Sequence, residues 1–194
     1  CRALRSATSK AGSTWPTDET HLLEGVRLAR TRLPRLRLII APHELKADHL
    51  GDIERWAAAS GLTLARVDAH EAESADVVLV DRFGVLGDLY ALAGAAFVGG
   101  AFHAAGLHSV LEPAAFGAPV LFGPRHHKSR HAGLLLAAGG GRVVRDASGI
   151  HDALVEWFEN PQSRAAAGER ARGVVQQGRG AAERSAALVE KLLA

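Results

Sequence analysis

The sequence predicts an α/β fold: a doubly wound parallel sheet of Rossmann-like type, with helices at the C-terminal end. Three observations carry that reading. Short apolar runs alternate with amphipathic segments of helical length from about residue 17 to residue 160, the order that βαβ units produce. The runs at 95–98 and 119–122 are almost wholly apolar, as strands covered on both faces are. The first of them ends in a glycine pair and a small-residue loop that opens into a helix at Ser109-Val110-Leu111-Glu112, the strand–loop–helix order in which open α/β sheets hold nucleotides.

Taken in order, residues 1–12 are polar and read as a tail or a weak first strand. Thr17 or Asp18 caps a helix to about Leu33, with Leu22, Leu23, Val26, Leu28 and Ala29 on its apolar face and Pro34 as its stop. Residues 36–41 form a short buried strand closed by Pro42, and a helix over about 47–60 ends at Gly61. Strands at 63–67 and 77–80 flank an acidic loop at 70–74, and a helix over 86–93 leads into the strand at 95–98. After 119–122 come a basic loop, a helix over about 130–138, a glycine-rich turn and a strand at 142–145. Ser148 caps a helix to about Asn160, and residues 161–194 are a helical extension interrupted near Gly178-Arg179-Gly180. The whole of 1–194 reads as one domain, long enough for a full core.

Composition narrows the function. Hydrophobic residues at 47 % and charged residues at 23 % are globular proportions, and a net charge of +2 with scattered basic residues argues against nucleic acid. The single cysteine, at position 1, leaves no internal disulfide and fits a reducing compartment. No run of 18 apolar residues is present to span a membrane. The chain holds no methionine, which reads as a fragment or processed product.

Within residues 99–124 the glycines allow close backbone approach, and a carboxylate in the first helical turn can accept from ribose hydroxyls. The same Ser109-x-x-Glu112 is also a capping box, and spacing does not choose between the two. Ser13 and Thr14, just before a helix, suit a phosphate or carboxylate as well as an ordinary cap. His43 at a strand end is a candidate ligand contact or a plain loop histidine, and Phe83 a ring platform or plain core. Arg125, Lys128 and Arg130 form a basic loop that can meet an anion or simply face solvent. His126, His127 and His131 lack a cysteine or carboxylate at ligand spacing, so no metal site is expected. No G-x-G-x-x-G follows the first strand, which argues against a dehydrogenase.

Four segments, in order, resemble one family: Gly12-Ser13-Thr14-Trp15-Pro16-Thr17-Asp18-Glu19, Ala41-Pro42-His43-Glu44, Phe83-Gly84-Val85-Leu86-Gly87-Asp88-Leu89-Tyr90 and Gly106-Leu107-His108-Ser109-Val110-Leu111-Glu112-Pro113. They look like the motifs of the 3-deoxy-D-manno-octulosonic acid (Kdo) transferases, two-domain glycosyltransferases of the GT-B type, over roughly residues 12–144. Three departures stand out: Ser109 replaces the motif asparagine, Val85 the glutamate of Met-Gly-Glu, and Pro42 the arginine of Pro-Arg-His.

The resemblance implies the C-terminal, donor-binding half of an enzyme that moves Kdo from CMP-Kdo to lipid A precursor in lipopolysaccharide synthesis. It implies donor contacts from Ser13, Thr14, His43, Phe83, Gly84, Gly106, His108, Ser109, Glu112 and Lys128. Glu112 would accept from the ribose, His108 and Ser109 would line the phosphate beside a helix N-terminus, and Gly84 with Phe83 would lie against the cytosine. No cofactor or metal is implied. The catalytic base and the lipid acceptor site belong to an N-terminal domain that no segment here matches, so no catalytic residue is expected in this chain. Full length, such an enzyme works in the cytoplasm at the inner face of a Gram-negative inner membrane, with membrane association through that other domain. The competing readings are another GT-B donor half using a UDP- or GDP-sugar, and a non-catalytic nucleotide-binding module.

Overall fold

The computed structural model describes residues 8–178, 180, 189 and 190. Its strands are β1 (Thr8–Thr14), β2 (Arg37–Pro42), β3 (Leu64–Arg66), β4 (Val77–Leu79), β5 (Ala95–Val98), β6 (Val120–Phe122) and β7 (Gly141–Val143). Its helices are α1 (Pro16–Arg32), α2 (Ala47–Ala59), α3 (Leu86–Tyr90), α4 (Leu111–Ala115), α5 (Arg130–Ala138), α6 (Ala147–Glu159) and α7 (Pro161–Gly178), with a 3-10 turn at His70–Glu73. The strands form one sheet in the order β3-β4-β2-β1-β5-β6-β7, every pair parallel. This is the predicted doubly wound sheet. From β1 the chain runs to β2, then to the edge strand β3 and back to β4 between them, before it crosses to β5 and builds outward through β6 and β7 on the other side.

Strand periodicity sorts the core onto two faces. Ala11, Leu38, Ile40, Leu79, Phe97 and Leu121 point to the face covered by α1, α2 and α6, where Leu22, Val26, Ile53, Ile150, Leu154 and Trp157 meet them. Val98, Val120 and Phe122 point the other way, against Val110, Ala114, Leu135 and Ala171 of the α4, α5 and α7 layer. On that second face Ile39, Ala41, Val78 and Val80 pack against Leu86 and Leu89 of α3.

Of the two expectations for residues 1–12, a tail or a weak first strand, β1 bears out the strand from Thr8 on but shows it to be central and buried; residues 1–7 lie outside the described residues. Apart from its two terminal threonines its letters, Thr-Ser-Lys-Ala-Gly-Ser-Thr, are poor strand formers, yet it is the buried strand next to the point where the winding reverses. Tertiary pairing with β2 and β5 overrides local preference. Lys10 is wholly buried on the α3 face. Its ammonium donates to the Leu86 carbonyl at 2.6 Å and lies 4.2 Å from the centre of the Tyr90 ring. Burial takes its pKa from 10.5 down to about 7, against the pull of the Glu112 and Asp88 carboxylates.

Three caps differ from expectation. Helix α1 starts at Pro16, not after Thr17 or Asp18, because proline suits the first helical position and Asp18 caps from within the first turn. Asp146, not Ser148, caps α6, its carboxylate accepting from the Gly149 N–H at 2.8 Å. The Ser109–Glu112 capping box does not form: α4 begins at Leu111 after Val110 in helical conformation, with no side-chain cap. Strand β7 lies one to two residues earlier than expected. Helix α7 ends at Gly178 and buries Ala167 and Ala171; the expected helix over 181–188 and 191–194 lies outside the described residues. Among the described residues no helix is long and apolar enough to cross a membrane.

Candidate functional site

The switch point falls between β1 and β5, and the chemistry-bearing loops leave the carboxyl ends of these strands and their neighbours. The ladder ends with the Gly99 N–H donating to the Gly12 carbonyl at 2.9 Å. Register then slips between Gly12 and Thr14, with Ser13 in a left-handed conformation at φ +54°. A Cβ on Gly99 would lie 2.2 Å from the Ser13 carbonyl oxygen, so only glycine lets the two loops close on each other. The Thr14 carbonyl accepts from the His43 N–H at 2.8 Å, which joins the loop after β2 to the same point.

Asp18 binds this junction together. Its fully buried carboxylate accepts from the backbone N–H groups of Trp15 at 2.9 Å, Gly100 at 2.8 Å and Phe102 at 3.0 Å. One side chain thus satisfies the orphan donors at the start of α1 and orders the loop after β5. Behind it, the Thr14 hydroxyl donates to Glu19 at 2.6 Å, and the other Glu19 oxygen lies 2.8 Å from His49 Nε2. His49 Nδ1 in turn lies 3.2 Å from the Glu44 carbonyl. Burial pushes the Glu19 carboxyl up, against the downward pull of Thr14 and His49.

Above these anchors stands a stack of rings. Trp15 lies between His43, at 4.6 Å and 29°, and His103, at 4.4 Å and 7°. His43 and His108 are 4.5 Å apart, and the Trp15 indole N–H donates to His108 Nε2 at 3.2 Å. The His108 backbone is pinned by its N–H to the Gly99 carbonyl at 3.1 Å. Desolvation, and next the neighbouring His43, lower the His108 pKa, with Asp18 opposing them.

The structure therefore brings Ser13, Thr14, His43 and His108 together, but in unequal roles. The Thr14 hydroxyl is turned inward to Glu19 and is not offered to a ligand. Ser109 and Glu112 in the segment after β5 and Lys128 in the loop after β6 stand exposed, and among the described residues none of their side chains has a hydrogen bond or ion pair within the protein. Gly84 and Gly106 are both left-handed, at φ +87° and +94°. Phe83 is 75 % exposed, so it is no core residue. Helix α4 spans five residues, too few aligned peptides for the expected N-terminal dipole to weigh much.

Trp15 and His103 carry roles that were not assigned from the sequence, and Asp18, expected only as a helix cap, also orders the loop after β5. An aromatic residue directly before a helix-opening proline, after Gly-Ser-Thr, was the visible signal for Trp15. Among the described residues no group of three or more His, Cys, Asp or Glu is placed to hold a metal ion. A groove of about 310 Å³ between α1 and α2, and others of about 620 and 820 Å³, are not lined by His43, His108 or Glu112.

No family model matches the chain. It is 34 % identical over 118 residues to the 3-deoxy-D-manno-octulosonic acid transferase of Aquifex aeolicus, covering 61 % of this chain and 32 % of that protein. It is 32 % identical over 169 residues to the enzyme of the same name from Bordetella pertussis, covering 84 % of this chain and 39 % of that one. This chain is a Kdo-transferase homologue. The matched part spans 32 % and 39 % of the length of these relatives. In fold it matches the C-terminal CMP-Kdo binding domain of WaaA from Acinetobacter baumannii with a TM-score of 0.78 at 22 % identity, over 90 % of this chain and 92 % of that one. It also matches the C-terminal domain of a group 1 glycosyl transferase (LpcC) from Francisella tularensis, with a TM-score of 0.65 at 11 % identity over 88 % and 85 %. These likenesses show a Rossmann-like α/β fold of the kind that glycosyltransferase domains share.

Proposed function

We propose that this chain binds CMP-Kdo as the donor half of a glycosyltransferase that transfers Kdo to a lipid A precursor in lipopolysaccharide synthesis. The observation that carries the reading is the coincidence of two likenesses: sequence identity to Kdo transferases over 84 % of the chain, and a fold shared almost end to end with a CMP-Kdo binding domain. The crevice between β1 and β5 takes the nucleotide. Glu112, with a free carboxylate, accepts from the ribose hydroxyls. Phe83 and Gly84 lie against the cytosine. His108 and Lys128 meet the phosphate or the sugar carboxylate, and the developing charge on the departing CMP is met by these groups without a metal.

Transfer also needs a base to take the proton from the acceptor hydroxyl. We place it, with the acceptor site, in the part of the relatives' length that this chain does not span. The 194 residues alone bind donor and do not transfer it. The full-length protein then works at the inner face of the inner membrane.

A thermal-shift titration tests the reading. CMP or CMP-Kdo at about 100 times Kd should add about 2.7 kcal/mol, roughly 5–10 °C for a domain of this size, while UDP and GDP at the same concentration should add far less. Stabilisation by UDP in preference to CMP would move the chain to another GT-B enzyme. Sugar transfer by the chain alone would refute the division of labour.

A further inference from the structure

We propose that Trp15 is a positioning residue that fixes the tautomer of His108, so that this ring meets an anionic group of the donor through Nδ1–H. The inference rests on the donor-site reading for its ligand and on the geometry of the ring stack for the rest.

The indole N–H can only donate. It lies 3.2 Å from His108 Nε2, so Nε2 must carry a lone pair and no proton. A neutral imidazole with an unprotonated Nε2 has its hydrogen on Nδ1. Among the described residues Nδ1 of His108 has no hydrogen-bond partner, which leaves one directed donor unused beside the crevice. Adding a proton at Nε2 would set two N–H groups against each other and break the contact. Trp15 therefore opposes the imidazolium as well as selecting the tautomer.

The titratable groups that face the ring act in the same sense or are outweighed. His43, from the loop after β2, stands 4.5 Å away and disfavours a second charge, as does burial, while Asp18 from α1 favours it less strongly. Trp15 is itself held on both faces, by His43 and His103, so its N–H cannot swing away without unstacking two rings. The backbone of His108 is fixed through Gly99. The ring is thus a preset hydrogen-bond donor rather than a floating cation, and its contact with phosphate or carboxylate does not require acid.

Long-range proton–nitrogen NMR of the histidine side chains in the 194-residue chain, between pH 6 and 8, decides the point. The expected spectrum shows His108 protonated at Nδ1 and bare at Nε2. In Trp15→Phe, which keeps the stacked ring and removes the N–H, the His108 midpoint should rise by about 0.5–1 pH unit, the equivalent of one lost hydrogen bond. CMP should perturb the Nδ1 resonance in the wild type, and Trp15→Phe should bind CMP about 3–10 times more weakly at pH 7.5. A wild-type Nε2–H tautomer, or an unmoved midpoint in folded Trp15→Phe, overturns the proposal. If Trp15→Phe does not fold, the wild-type spectrum alone decides the tautomer. If the tautomer is as expected but CMP neither stabilises the chain nor moves Nδ1, the donor reading fails and takes the ligand half of this proposal with it, leaving Trp15's hold on His108 standing.

Discussion

The two flanks of the crevice are built on opposite plans. On the β1 side, Asp18 accepts three backbone N–H groups, Thr14 and Glu19 bind each other, and Trp15 is clamped between two histidines. In the segments after β5 and β6, Glu112, Ser109 and Lys128 project from short or irregular backbone with no side-chain hydrogen bond or ion pair among the described residues, although the Glu112 charge acts on buried Lys10. One region is closed by its own partners; the other leaves its polar side chains to solvent and, under the proposed function, to the donor. Binding energy and folding energy are therefore expected to separate by flank.

The strongest test of that separation is Asp18→Ala. It orphans three N–H groups, two of them on the loop after β5, and should destabilise the chain by about 3 kcal/mol or more, lowering Tm by roughly 10 °C and abolishing CMP binding. A chain that tolerates the change with its Tm intact would break the comparison. Glu112→Ala should do the reverse: an unchanged Tm without ligand, read by calorimetry, and CMP binding weaker by about 10–100-fold by titration, the range for hydrogen bonds to a charged group.

Lys10 lies below the exposed flank and sharpens the contrast. Its pKa falls from 10.5 to about 7 on folding, so between those values the unfolded chain holds a proton that the native chain gives up. Stability then rises as pH rises from about 7 towards 10.5, and is most reduced below 7. From pH 7 to 8 the gain should be about 1 kcal/mol in denaturant melts, and Lys10→Met should flatten it. The smallest effect belongs to Lys128→Ala, which should weaken CMP binding about 3–5-fold at low salt and less as salt is added.

Much of the fold was legible because apolar periodicity is local. Strand β5 and helix α5 lie at the positions the sequence indicates, since Ala95–Val98 is a pure apolar run and Ser129 and Gly139 punctuate the helix. The burial of strand β1 was illegible for the opposite reason: it is imposed by β2 and β5, and the strand's lysine is satisfied by Leu86 and Tyr90, 76 and 80 positions away in the chain. The site divides in the same way. Glu112 and His108 can be picked out by their place after a strand. Asp18, however, acts on Gly100 and Phe102, and Trp15 on His108, across 82 to 93 residues, and no pattern within a motif records such a partner.

Gly99 sets a limit on how this protein can change. With the Ser13 carbonyl 2.2 Å from where its first side-chain carbon would sit, the seam between the two central loops cannot be pried open by substitution without unseating Thr14 and His43 as well. Under the proposed donor reading, new donor preferences then arise elsewhere: a bulkier or differently charged sugar nucleotide is accommodated by rewriting Phe83, Ser109, Glu112 or Lys128, while the sealed side stays as the fixed jaw.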